Sequence, residues 1–142
     1  MARTTFNGPV VSQNGFIDGH QVTAANAINA TGTATAAHVA TGYITSTSAA
    51  ATVITLPTGT LLGAAVSATQ GTVLDLFIDN TAGANTVTIA VATNGVLSTG
   101  AVDAAAAAGT FGDLTVASGV TGLARFTIMF SSATAYAFTR TA

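Results

Sequence analysis

At 142 residues and a formal charge of −2, the chain suits one domain that buries about two-thirds of its unfolded surface. Only 6% of its residues are charged, and Lys, Glu and Cys are absent. An ordinary soluble domain carries about a quarter charged residues. The chain therefore offers no basic footprint for nucleic acid, no disulfide or thiolate framework, and little material for acid–base catalysis.

The apolar half of the composition is unusual, because 31 residues are Ala, and 27 more of the chain are Thr. Ala buries little area, and apolar burial stabilises by roughly 25 cal/mol per Å². Ordering the backbone opposes it by about 1–2 kcal/mol per residue. A monomer of this composition is expected to be marginal, and association with further copies is the natural source of extra stability. No run of 18 residues is free of polar or Gly interruptions, so no membrane-spanning helix is expected. Aromatics are too few for the girdles of an outer-membrane barrel. The first nine residues lack the apolar stretch of a signal peptide.

Residues 1–20 read as an extended N-terminal arm. Asn7-Gly8-Pro9 and Asn14-Gly15 are turn signals, and Phe6, Val10, Val11, Phe16 and Ile17 are apolar anchors without helix or strand spacing. Such anchors need a surface to lie on. Residues 21–142 read as a single β-domain. Its first part, 21–40, is Ala, Thr and Gly with scattered Val and Ile; Thr31 to Ala36 alternates small polar and small apolar side chains, which permits a strand.

Clear strand patterns follow at Gly42–Thr47 and Ala51–Leu56, the second closed by Pro57, which cannot donate to a ladder. Thr60–Thr69 reads as either a short helical turn or an irregular link. In Gln70–Ala92 two alternating runs flank Asn80-Thr81-Ala82-Gly83-Ala84-Asn85. Leu74, Leu76 and Ile78 share one face of the first run, opposite Val73, Asp75, Phe77 and Asp79; Val87, Ile89 and Val91 share a face of the second. This stretch predicts a central β-hairpin. Val96-Leu97 predicts a short strand after the Asn94-Gly95 turn, and Ala104–Ala108 allows one helical turn behind Asp103. Leu114–Val116 is a brief strand. Phe126, Ile128 and Phe130, then Tyr136, Phe138 and Arg140, define a last antiparallel hairpin joined through Ser131–Thr134. Seven or eight short strands between Gly-rich turns predict an all-β fold, an antiparallel β-sandwich or jelly-roll, with one barrel alternative.

Few residues could carry chemistry. His20 and His38 have no partner at metal-ligand spacing, so no metal site and no cofactor are expected. Asp75 and Asp79 share a strand face about 13 Å apart, too far to share one proton or one small ion. They suit a solvated face, and Asp79 before Asn80 also suits an Asx bond that fixes a turn. No Gly-x-Ser-x-Gly elbow, P-loop or dinucleotide fingerprint occurs. The expectation is a protein that is not an enzyme.

The opening Ala2-Arg3-Thr4-Thr5-Phe6-Asn7-Gly8-Pro9-Val10, with Asn14-Gly15-Phe16, resembles the start of small structural proteins of tailed bacteriophages, particularly marine and cyanobacterial ones. Val53-Ile54-Thr55-Leu56-Pro57 and Gly71-Thr72 are similar to the same set, which includes head decoration (cement) proteins. The resemblance covers about half the chain. It implies a β-sandwich or jelly-roll, commonly a homotrimer, seated on the outer surface of the capsid and tying capsomers of the major capsid protein together. No family site residue transfers, since such proteins act through a surface.

Composition and resemblance together predict a virion structural protein that stabilises the phage head, with no nucleic-acid or membrane partner. The candidate capsid or inter-subunit contact is the arm: Arg3, Phe6, Val10, Val11, Phe16 and Ile17. The rival reading is a head-fibre or tail-associated module that recognises a host glycan. Such modules present aromatics in loops, whereas most aromatics here fall within strand patterns.

Overall fold

The computed structural model describes residues 26–97 and 114–141. The arm residues Arg3, Phe6, Val10, Val11, Phe16 and Ile17, the Ala104–Ala108 run and Asp103 lie outside them. Within them the chain is strand-rich with two short helices, and its strands form two mixed sheets.

The elements are β1 (Gly32–Thr33), α1 (Ala36–Ala40), β2 (Tyr43–Thr45), β3 (Thr52–Leu56), α2 (Gly59–Val66), β4 (Val73–Asp79), β5 (Val87–Val91), β6 (Gly95–Leu97), β7 (Thr115–Val116), β8 (Leu123–Ser132) and β9 (Ala135–Arg140). One sheet has the order β1-β3-β5-β7 and the other β2-β4-β8-β9-β6. From β1 to β8 each successive strand among the described residues falls in the other sheet. β1, β3 and β5 lie parallel, as do β2 and β4. The chain thus coils back and forth between two growing sheets.

The two helices sit at the same place in successive turns of this coil. Each is opened by a Thr whose hydroxyl caps the first turn: Thr35 Oγ1 accepts from His38 N, and Thr58 Oγ1 from Leu61 N. α1 packs on α2. The next turn, β5 to β6, keeps the direction of the earlier ones, but β6 is separated from β4 because the antiparallel pair β8–β9 is inserted between them.

Buried residues of both sheets belong to one core. β4 supplies Leu76 and Ile78, β5 supplies Val87 and Ile89, and β3 supplies Ile54 and Leu56. β8 and β9 add the large rings. Phe126 stacks on Phe138 with centroids 5.0 Å apart, and Phe130 meets Tyr136 at 5.7 Å. Arg140, on the same inward face, lies 6.0 Å from the Phe126 centroid and donates from Nη1 to the Thr115 carbonyl of the opposite sheet at 2.7 Å.

The expected faces hold in Val73–Asp79, Val87–Val91 and the two C-terminal runs, and the C-terminal hairpin forms as β8–β9. Two expectations are corrected. The sheets expected to be antiparallel are mixed: among the described residues only β4–β8, β8–β9 and β5–β7 pair antiparallel. The central hairpin does not form either, since β4 pairs with β2 and β8 while β5 pairs with β3 and β7. The physical reason is Asn80. Its side chain is fully buried and donates to Asn85 O, Val116 O and Ala117 O, while its backbone N donates to Gly122 O. These partners hold the loop as a crossing between sheets. Of the two options for Thr60–Thr69, the helical one is found, as α2.

Candidate functional site

The outer face of the five-stranded sheet is the most distinctive surface of the described residues. Strand alternation that buries Ile44, Leu76, Ile78, Ala124, Phe126 and Ile128 turns their neighbours outward. Register then assembles those neighbours in rows. Tyr43 lies beside Phe77, and Phe77 beside Arg125; Asp75 lies beside Thr127, and Thr127 beside Thr139; Val73 lies beside Met129, and Asp79 beside Leu123.

Four of these outward residues are large and apolar, with exposures of 55% for Val73, 38% for Phe77, 53% for Leu123 and 50% for Met129. They lie on two paired strands. Fully burying one such side chain is worth about 1.5–3 kcal/mol, so covering four half-exposed ones gives a partner several kcal/mol to bind with.

The polar groups of the face are already organised. Arg125 Nη2 lies 2.9 Å from Asp75 Oδ2, and Thr127 Oγ1 donates to Asp75 Oδ1 at 2.9 Å. This pair is open to water, so its own contribution to stability is on the order of 0–1 kcal/mol. At the other end Tyr43 Oη donates to Asp79 Oδ2 at 2.5 Å, while Asp79 Oδ1 accepts from Thr81 N at 3.0 Å and Thr81 Oγ1 at 2.6 Å. The Thr81 hydroxyl, then Tyr43, hold the Asp79 carboxyl below its ordinary range; the bond to Asp79 pushes the Tyr43 phenol up. Asp79 thus makes the Asx turn read from sequence, and the face is a fixed pattern of apolar knobs and oriented charges.

The remaining chemistry-bearing residues do not converge. His38 sits in α1, and among the described residues no three His, Cys, Asp or Glu side chains come together as metal ligands. No helix of the described residues is long and apolar enough to cross a membrane. His20, like the six arm residues, lies outside the described set. Asp75 and Asp79 share a face as expected, but the Arg125 partner of Asp75 was not foreseen. Neither was the apolar patch. Its signal was present in the outward positions of two alternating strands, where Val73, Phe77 and Met129 stand in place of polar residues.

Compared with protein-family models, curated proteins and solved structures, the chain matches none of them.

Proposed function

We propose that this chain is a non-enzymatic virion structural protein, a capsid decoration (cement) protein of a tailed bacteriophage. It binds the outer surface of the capsid as a homotrimer and reinforces the shell. In this reading its two sheets form a β-sandwich of the jelly-roll kind. The observation that carries the reading is the outer face just described: half-exposed Val73, Phe77, Leu123 and Met129 around oriented charges, on a chain with only 6% charged residues. Such a surface is covered at low desolvation cost and repels neighbours weakly. The resemblance of residues 2–16 to the opening of phage structural proteins supports the choice of partner.

The mechanism is multivalent. Three copies of a weak contact, presented together, raise avidity far beyond one contact. The experiment is co-sedimentation with undecorated phage heads, comparing the full chain with a variant lacking residues 2–16. The full chain is expected in the head fraction and the truncated one largely in the supernatant, with its circular dichroism unchanged. A full chain that stays in the supernatant at saturating concentration contradicts the reading.

The rival reading, a glycan-binding module of a head fibre or tail, gains one observation. Phe77 presents a half-exposed ring beside Tyr43 and the Asp79 carboxylate, groups suited to stacking on and hydrogen-bonding a sugar. Four of the six aromatics among the described residues are nevertheless buried. Glycan-array binding lost in Phe77→Ala would favour this rival.

A further inference from the structure

We propose that the outer face of the five-stranded sheet, centred on Phe77, is the seat for residues 1–25 of a neighbouring copy of this chain. The inference rests on the reading of the protein as an oligomeric assembly component and names the contact that would build the oligomer.

The face calls for an occupant that is mostly apolar with one positive charge. Val73, Phe77, Leu123 and Met129 provide the apolar ground. Of its three charged groups, Asp75 and Arg125 are paired, and Asp79 is left with hydroxyl and amide donors but no cation among the described residues. Two acids against one base leave the face one net negative charge. Residues 1–25 offer Phe6, Val10, Val11, Phe16 and Ile17, together with Arg3, the only basic residue of the chain outside β8 and β9 apart from the histidines; the segment's one acid, Asp18, lies fifteen residues from Arg3, so the match to Asp79 is local to Arg3. The complement is apolar to apolar and Arg3 to Asp79.

The described chain begins at the edge of this face, and an Ala-rich composition that leaves a lone copy marginal favours a neighbour's face over its own. Thr45 N donates to Asn26 O at 3.1 Å and Ile28 N to Thr45 O at 2.9 Å, so residues 26–28 run parallel to β2 along its free edge. That edge is closed to an added strand. Asn26, where the described chain begins, lies on that edge, its side-chain amide donating to the Tyr43 carbonyl at 3.2 Å. A segment of 25 residues spans up to about 80 Å, whereas five strands at about 4.8 Å spacing make a sheet only about 19 Å wide. The length is ample to cross to a second molecule. An arm-to-face contact is also heterologous, joining different surfaces on the two copies, and builds a three-membered ring when each copy is turned by a third of a circle from the last.

Light scattering of two variants and their mixture tests this. The full chain is expected at about three times 13.8 kDa. The variant lacking residues 2–16 keeps the face and loses the arm; Phe77→Asp keeps the arm and spoils the face. Each alone is expected as a monomer, and mixing the two is expected to restore a complex, since one arm still finds one intact face. Met129→Asp repeats the face test on β8, so failure of Phe77→Asp to fold does not decide the outcome. Arg3→Glu is expected to raise the dissociation constant at least tenfold at low salt and less at high salt.

Full-sized oligomers from either the truncated or the face variants overturn the proposal. So does a full chain that stays monomeric, whether or not cross-links from residue 6 reach residue 77 of the same copy. Trimers that fail to co-sediment with heads leave the arm-to-face contact standing and contradict only the capsid reading.

Discussion

Asn80 directly follows β4 of one sheet, and its side-chain amide donates to the carbonyl of Val116, in β7 of the other, at 3.2 Å. The same nitrogen donates to Asn85 O at 2.8 Å and Ala117 O at 3.0 Å. Two protons serve three carbonyls, so one bond is shared. Asn80 Oδ1 is buried without a hydrogen-bond partner among the described residues, and a Cβ at Gly83 would lie 2.0 Å from it. Asn80→Ala should therefore lower stability by about 3 kcal/mol, through carbonyls deprived of a buried donor. Asn80→Asp should cost more at neutral pH, because a carboxylate would face those carbonyls. Gly83→Ala should destabilise by contact with the amide alone. Urea melts with shifted midpoints and unchanged slopes would bear this out; midpoints equal to wild type would refute it.

The two faces of the sheets give a second contrast. Leu76 is fully buried beside Phe126, whereas Thr88 is half-buried on the outer side of β5 between Val53 and Thr115. Leu76→Asp should cost several kcal/mol and Thr88→Asp well under half as much. Equal losses in thermal melts would mean that the outer side of β5 is also covered, by another copy.

These faces were legible because period-two alternation reports which side of a strand is buried. The partner of each strand was not. Alternation in Val73–Asp79 and Val87–Val91 suits a hairpin as well as a crossing between sheets, and the choice is made by Asn80 through Val116, Ala117 and Gly122, far along the chain. Helix α2 was half-legible for a related reason: Gly59, Thr60 and Gly63 are poor helix formers, and tertiary packing holds them. The outward apolar residues were written in the sequence, but their grouping across β4 and β8, Val73 with Met129 at one end and Phe77 diagonal to Leu123 at the other with Asp75 and Thr127 between, depends on the register.

Gly63 tests that packing. A Cβ there would lie 1.9 Å from the Ala133 carbonyl in the turn between β8 and β9. Gly63→Ala gains about 1 kcal/mol of helix propensity, yet must push α2 off the turn, an overpacking cost of typically 1–3 kcal/mol. A lower melting temperature is expected. A higher one would show that α2 is free to shift.

Alkaline pH should unfold the protein through Tyr136. The side chain is fully buried, its hydroxyl donates to Pro57 O at 2.8 Å, and burial pushes its pKa from 10.0 to about 12. A raised folded-state pKa means that the stabilisation is complete below pH 10 and is lost as pH rises through about 12. Tyr136→Phe should be less stable at neutral pH by about 1 kcal/mol, from the lost bond, and flatter above pH 10. Asp79 acts at the other end. Its folded-state pKa is lowered from 3.8, so its contribution is present above 3.8 and is lost as pH falls through the lower value. Melting curves across pH for wild type, Tyr136→Phe and Asp79→Asn separate the two contributions.

We propose that this chain works by covering a phage capsid with a trimer. Cryo-electron microscopy of undecorated phage heads incubated with the purified protein puts this reading to the test. Threefold density of about 14 kDa per copy is expected on the outer surface of the head, at junctions between capsomers. Heads without such density, or the chain found only at the tail, would contradict it.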